Sequence, residues 1–300
     1  VNAVATAAAP RARVPASGRG FAWLLLSPTL LFLIAFLVVP GVLLAGLSLR
    51  NVDAMLNLQP GYGLSQYILV FGSATYANAL FTTLWVSLAT ALLCVLLAYP
   101  AAWLLVNAPT RTVRTVLYVL LVSPLLTSVV IRTFAWIVLL AQNGLINDAL
   151  RSLGLIDTPL RMLWNMNAVI IAYVQVMLPF AVLPLATSLG EIPQSLSRAS
   201  MSLGAGRVHT FFHVTLPLTL PGMLTGAIIV FALAAGSYIT PLLIGGRLQP
   251  LLPIAIYQQA VQIANLPLAA ALSFSLLLIT GIVVFLLGAV LKRWEKRTYG

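Results

Sequence analysis

His209 and His213, the single cysteine Cys94, and Arg132 are the side chains with distinctive chemistry in this 300-residue chain. Histidines four residues apart share a helix face and could grip a divalent metal. No glutamate stands between these two, and no third donor is near them in sequence. Beside Arg207 they fit a positively charged contact surface instead. One cysteine excludes an internal disulfide, and in its apolar surroundings Cys94 reads as an unreactive structural thiol. Ser and Tyr occur within the apolar runs, but no His or carboxylate accompanies them there. An enzyme acting inside the membrane, on lipid for example, would lack its acid–base pair. The chain is therefore expected to be no enzyme and to bind no metal or cofactor itself.

These residues are carried by a chain that is 61% hydrophobic and only 7% charged, with a net charge of +11. Soluble domains carry roughly a quarter charged residues, so the sequence belongs in a bilayer. A nucleic-acid binder would need a soluble basic face, whereas here the bases are scattered between apolar runs. A membrane-crossing helix needs about 20 mostly apolar residues. Six segments qualify, at about 22–47, 78–107, 115–141, 166–190, 218–240 and 266–291. The expected class is an all-α membrane protein with six transmembrane helices.

Lys and Arg divide unevenly when the connectors are sorted into alternating sets. One set holds Arg11, Arg13, Arg19, Arg111, Arg114, Arg198, Arg207, Lys292, Arg293, Lys296 and Arg297; the other holds Arg50, Arg151, Arg161 and Arg247. The positive-inside rule places the first set, with both termini, in the cytoplasm. Residues 1–20 are then expected to form a disordered cytoplasmic arm, 21–291 the six-helix transmembrane domain, and 292–300 a basic tail against anionic lipid. The apolar run after Arg19 is longer than a signal-peptide core and is expected to be a retained span.

No Asp or Glu falls within the six segments, which counts against an ion-coupled secondary carrier. The chain also has no G-x-x-x-x-G-K-S/T phosphate loop, so ATP-driven transport would require a partner. Arg132 sits roughly 14 Å from the outer end of its span at about 1.5 Å per residue and needs a polar surrounding. Ser128 and Trp136 share its face, which points to a watery path or to a pairing with a carbonyl or a companion subunit. Tyr173 and Gln175 precede Pro179 and Pro184 in the fourth span, and Tyr238 precedes Pro241 at the end of the fifth. Prolines free backbone carbonyls that water in a cavity or neighbouring helices must satisfy. These six residues are the candidates for a translocation path. The Gly222-x-x-x-Gly226 pair permits close helix approach but is a common pattern in membrane helices.

The longest connector of the cytoplasmic set covers 191–217. Ser195 to Leu203 suits a short helix with Leu196, Ala199 and Leu203 on one side, ended by Gly204 and Gly206. A second turn carries Val208, Phe211 and Phe212 toward the next span, where the simplest cover for the two rings is the protein's own helix ends.

Ala199, Gly204, nine further residues, then Val214-x-Leu216-Pro217 resembles the EAA motif of ABC importer permeases, E-A-A-x3-G-x9-I-x-L-P. Arg198 stands where that motif has Glu, Ser200 where it has the second Ala, and Val214 where it has Ile. The resemblance extends over about 20–291, where the motifs look like those of the spermidine/putrescine type. It rests on Leu26-Ser-Pro28, Val39-Pro40, Arg132-Thr-Phe-Ala-Trp136, Asn143-Gly-Leu-Ile-Asn147, Leu178-Pro179, Leu183-Pro184-Leu185, Ser237-Tyr-Ile-Thr-Pro241 and Gly245-Gly246. It implies a type I importer permease fold in a bacterial inner membrane. It also implies a second permease as heterodimer partner, a cytoplasmic ATPase pair that binds ATP and Mg, and a periplasmic solute-binding protein. The loop residues Leu196, Arg198, Ala199, Ser200, Leu203, Gly204, Phe211, Phe212, Leu216 and Pro217 would meet the ATPase.

Overall fold

A computed structural model describes residues 17–53, 55–245 and 251–299. Residues 1–16, Gly246 and Arg247 lie outside the described residues. Residues 17–20 of the expected arm belong to the first helix. The chain divides into two compact units, 1–47 and 48–300. The first contains α1 (Ser17–Ser48) apart from its last residue, with Pro28 and Pro40 inside it.

The second unit opens with an antiparallel hairpin, β1 (Arg50–Val52) and β2 (Leu58–Tyr62), in an otherwise helical chain. An all-α expectation overlooked it because both strands are very short. Asp53 organises the turn: the backbone N–H groups of Met55 and Asn57 donate to its Oδ1 at 2.8 and 2.9 Å. Arg50 lies over the Tyr62 ring, 4.9 Å from its centroid, an attractive cation–π placement.

Helices α2 (Ser65–Gly72) and α3 (Ala74–Val106) follow. The third span is not the continuous helix expected over 115–141. It is divided into α4 (Arg111–Val122), a 3-10 turn (Ser123–Leu126) and α5 (Val129–Leu140), and α6 (Leu145–Ser152) comes next. Pro124, which has no N–H to donate, stands at the start of the 3-10 turn; Ser123 before it is still helical, and the chain leaves helical backbone at Thr127 and Ser128. α7 (Met166–Gly190) accommodates Pro179 and Pro184 without ending.

After α7 come α8 (Gln194–Ser202), α9 (Arg207–Thr210), a π-turn (Phe211–Thr215) and α10 (Leu216–Gly236). The fifth span also stops earlier than expected: extended backbone at Ser237 ends α10, and α11 (Ile239–Ile244) starts anew. α12 (Leu252–Tyr257), a π-turn (Gln258–Gln262) and α13 (Leu266–Tyr299) complete the described chain. Six helical stretches among the described residues are long and apolar enough to cross a membrane.

The core lies where α3, α7 and α10 meet. Small residues allow the approach: Cys94, Ala98, Ala102, Ala172, Ala181 and Ala234 are all buried there. Cys94 donates weakly to the Val174 carbonyl at 3.7 Å, as befits a structural thiol. Gly222 and Gly226 matter more than their common pattern suggests. A Cβ on Gly226 would sit 2.9 Å from Ala181 Cα, and one on Gly222 would sit 2.8 Å from the Pro184 carbonyl. The pair therefore sets how closely α10 rests on α7.

Candidate coupling loop and membrane path

The loop between the fourth and fifth spans has the form its glycines dictate. Gly204 adopts φ +90°, a left-handed conformation that side chains resist. Its N–H donates to the Met201 carbonyl at 3.0 Å, and that of Ala205 to the Ser200 carbonyl at 3.2 Å, which closes α8. Ser200 and Thr210 hydroxyls bond at 3.0 Å and tie α8 to α9. Pro217 occupies the first turn of α10, where fixed φ suits helix initiation.

The loop displays apolar side chains. Leu203 is 90% exposed, and Leu196, Met201, Val208 and Phe212 are also exposed. The two phenylalanines part company: Phe211 meets Tyr99 of α3 edge-on at 5.3 Å, whereas Phe212 is 55% exposed and touches Phe211 at 5.0 Å. Own-helix cover thus accounts for one ring only. Tyr99 had no signal in the sequence, because only folding brings it under the loop. Arg198 donates to the Gln194 side chain at 3.2 Å. The His209 and His213 rings stack 3.9 Å apart, and no cluster of three or more His, Cys, Asp or Glu among the described residues could hold a metal.

The path candidates occupy three neighbouring elements. Arg132 is buried, and its Nη2 donates to the carbonyls of Pro124 and Thr127. It therefore satisfies the break in its own span. Ser128 opens α5 with an exposed side chain that makes no capping bond. Trp136 Nε1 donates to Gln175 Oε1 at 3.3 Å, joining α5 to α7. Tyr173, fully buried, donates its hydroxyl to the Ser237 carbonyl at 2.9 Å. The breaks in the third span and at Ser237 thus each receive a side-chain donor, as an apolar medium demands. Next to Ser237, Tyr238 stacks on Tyr257 at 5.3 Å and borders a 710 Å³ cavity lined by Gly236, Ile256, Ser273, Thr280 and Val284.

Comparison with known proteins places this architecture. Residues 94–297 match the model of the family described as binding-protein-dependent transport system inner membrane component. The chain belongs to that family. As a permease of this family it is a multi-pass inner-membrane protein and not an enzyme. It is 32% identical over 253 residues to the spermidine/putrescine transport system permease protein PotB of Escherichia coli strain K12, covering 84% of this chain and 91% of PotB. It is 31% identical over 215 residues to the molybdenum transport system permease protein ModB of Mycobacterium bovis, covering 71% and 78% of the two chains. In fold it is similar to a chain of a bacterial ABC transporter involved in import of the acidic polysaccharide alginate, with a TM-score of 0.71, 19% identity, and coverage of 92% and 96%.

One residue of this permease had a sequence signal that went unread. Asn147, fully buried, donates to the carbonyls of Ala141 and Leu160 at 3.0 and 3.1 Å and accepts from the Leu160 N–H at 2.9 Å. It knots the connector after the third span. Gly144 leaves no room for a Cβ, which would fall 2.4 Å from the Val138 carbonyl. The Asn143 to Asn147 motif contained both.

Proposed function

We propose that this chain is one of two permease subunits of an ATP-driven importer for polyamines. The observation that carries the assembly is the loop at 191–217: a helical knob, closed by left-handed Gly204, with Leu203 and Phe212 exposed. Apolar surface of that kind calls for a covering partner. In this reading the cytoplasmic ATPase pair covers it, binds ATP and Mg, and moves the loop as it closes. The charge bias of the connectors supports a cytoplasmic loop and cytoplasmic termini, leaving the hairpin and the connectors after the third and fifth spans for a periplasmic binding protein. A neighbour in fold is an alginate transporter recorded in complex with a periplasmic protein that carries an alginate pentasaccharide.

Similarity to PotB over most of both chains supports the polyamine assignment. An arginine lining the path would repel a cationic polyamine, but bound to the Pro124 and Thr127 carbonyls the Arg132 guanidinium is not committed to the solute. A second reading, an oxyanion solute, draws on the similarity to ModB. Reconstitution decides between them. The permease pair, ATPase and binding protein in liposomes should accumulate labelled spermidine or putrescine only with ATP. Uptake of molybdate instead would favour the second reading, and uptake without any ATPase would refute the importer.

A further inference from the structure

The loop's charge is reversed relative to the motif it resembles. Arg198 stands at the position of the motif's glutamate, is exposed, and contacts a neutral amide, Gln194, at 3.2 Å. Arg207, His209 and His213 are exposed on the same loop. Between Glu191 and Glu295 the sequence holds no carboxylate side chain, and Glu191 sits back at the end of α7. The knob is therefore an apolar tip, Leu203, Val208 and Phe212, with the exposed guanidinium groups of Arg198 and Arg207 on the same loop.

We infer that the groove receiving this loop is apolar at its floor and acidic at its rim, with a carboxylate placed to pair with Arg198. This rests on the reading of 191–217 as the ATPase-docking loop and specifies which ATPase the loop accepts. A glutamate at position 198 would demand a basic rim. Arginine there attracts a carboxylate rim and repels a basic one, so the substitution selects among ATPases as well as binding one. An anionic lipid surface is the other negatively charged occupant available to a cytoplasmic loop. Lipid-binding segments gather about four to eight Lys or Arg, and this loop has two Arg. Its most exposed residue, Leu203, follows directly on a rigid helix and precedes a tight turn, a shape suited to a protein groove.

The test uses the assembled permease pair in phosphatidylcholine nanodiscs, titrated with the purified ATPase subunit of the proposed importer. Arg198→Glu should weaken binding roughly tenfold or more and flatten its dependence on salt, with Arg198→Gln intermediate. Leu203→Asp should abolish binding. If Leu203→Asp binds like the unaltered protein, the docking-loop reading itself fails. If Leu203→Asp abolishes binding while Arg198→Glu and Arg198→Gln leave it unchanged, the loop docks but the acidic rim is refuted. If the Arg198 effect is absent in phosphatidylcholine and emerges only with phosphatidylglycerol, the cations serve lipid and the inference is overturned.

Discussion

Tyr173 of α7 donates its hydroxyl to the carbonyl of Ser237 at 2.9 Å, binding the fourth span to the point where the fifth breaks. A buried carbonyl deprived of its donor costs about 1–3 kcal/mol. Tyr173→Phe, which keeps the ring, should therefore lower the thermal stability of the purified permease. An unchanged melting temperature would show that another donor serves Ser237.

Arg132 performs the same service for Pro124 and Thr127 in the third span. Arg132→Met removes donors from a break that must sit in apolar surroundings, and about 1–3 kcal/mol of destabilisation is expected. Arg132→Lys, which keeps a charge but loses the planar fork, should recover part of it. Folded yield and detergent melting curves of the two variants provide the comparison. Equal stability of Arg132→Met and the unaltered protein would return Arg132 to the pathway candidates.

Gly226 faces Ala181 of α7 at a separation that excludes a Cβ, whereas Gly288 in α13 has open space around it. Gly226→Val should cost about 1–3 kcal/mol through overpacking and reduce the amount of folded protein in the membrane. Gly288→Ala should be tolerated. Similar losses at both positions would mean that α10 and α7 are not the tight contact described.

The edge-on contact of Tyr99 with Phe211 lies between α3 and the π-turn that leads from α9 into α10, next to the loop proposed to dock the ATPase. Aromatic pairs of this kind contribute about 0.5–1.5 kcal/mol beyond burial. Tyr99→Ala and Phe211→Ala should each leave ATPase association intact while lowering solute uptake per ATP hydrolysed. The double variant should be no worse than the poorer single one. Additive losses would show that the two rings act independently.

Asp53 holds its turn by accepting from the Asn57 backbone first, then from the Asn57 side chain and the Met55 backbone, and these bonds keep its carboxyl below the ordinary aspartate range. Because the folded value is depressed, the turn's contribution is present above the unfolded value and is lost as pH falls through the folded one. The protection factors of the Met55 and Asn57 amides, taken relative to intrinsic exchange at each pH, should fall over that acidic window, and Asp53→Asn should remove that fall.

How legible the site was depends on how local its determinants are. Gly204 could be read because a left-handed residue closing a short helix is a property of neighbouring residues. Phe211 and Phe212 could be read as loop residues in want of a cover, though the helix ends expected to supply it cover only Phe211. Asn147 was within a quoted motif, but its partners, Ala141 and Leu160, meet it only when the connector folds back. Tyr99 gave no signal, being one aromatic residue among many in an apolar run.

Apolar length in the sequence alone determined the six candidate spans, because bilayer thickness and helix geometry act on consecutive residues, and the resemblance of the 191–217 segment to a known motif pointed to a permease. Only the tertiary structure decided where the spans break, which donors satisfy the breaks, and that Gly222 and Gly226 set the distance between α10 and α7. Those outcomes depend on groups far apart in sequence. In an apolar medium a backbone carbonyl can be freed only where the fold brings a donor such as Arg132 or Tyr173 to meet it.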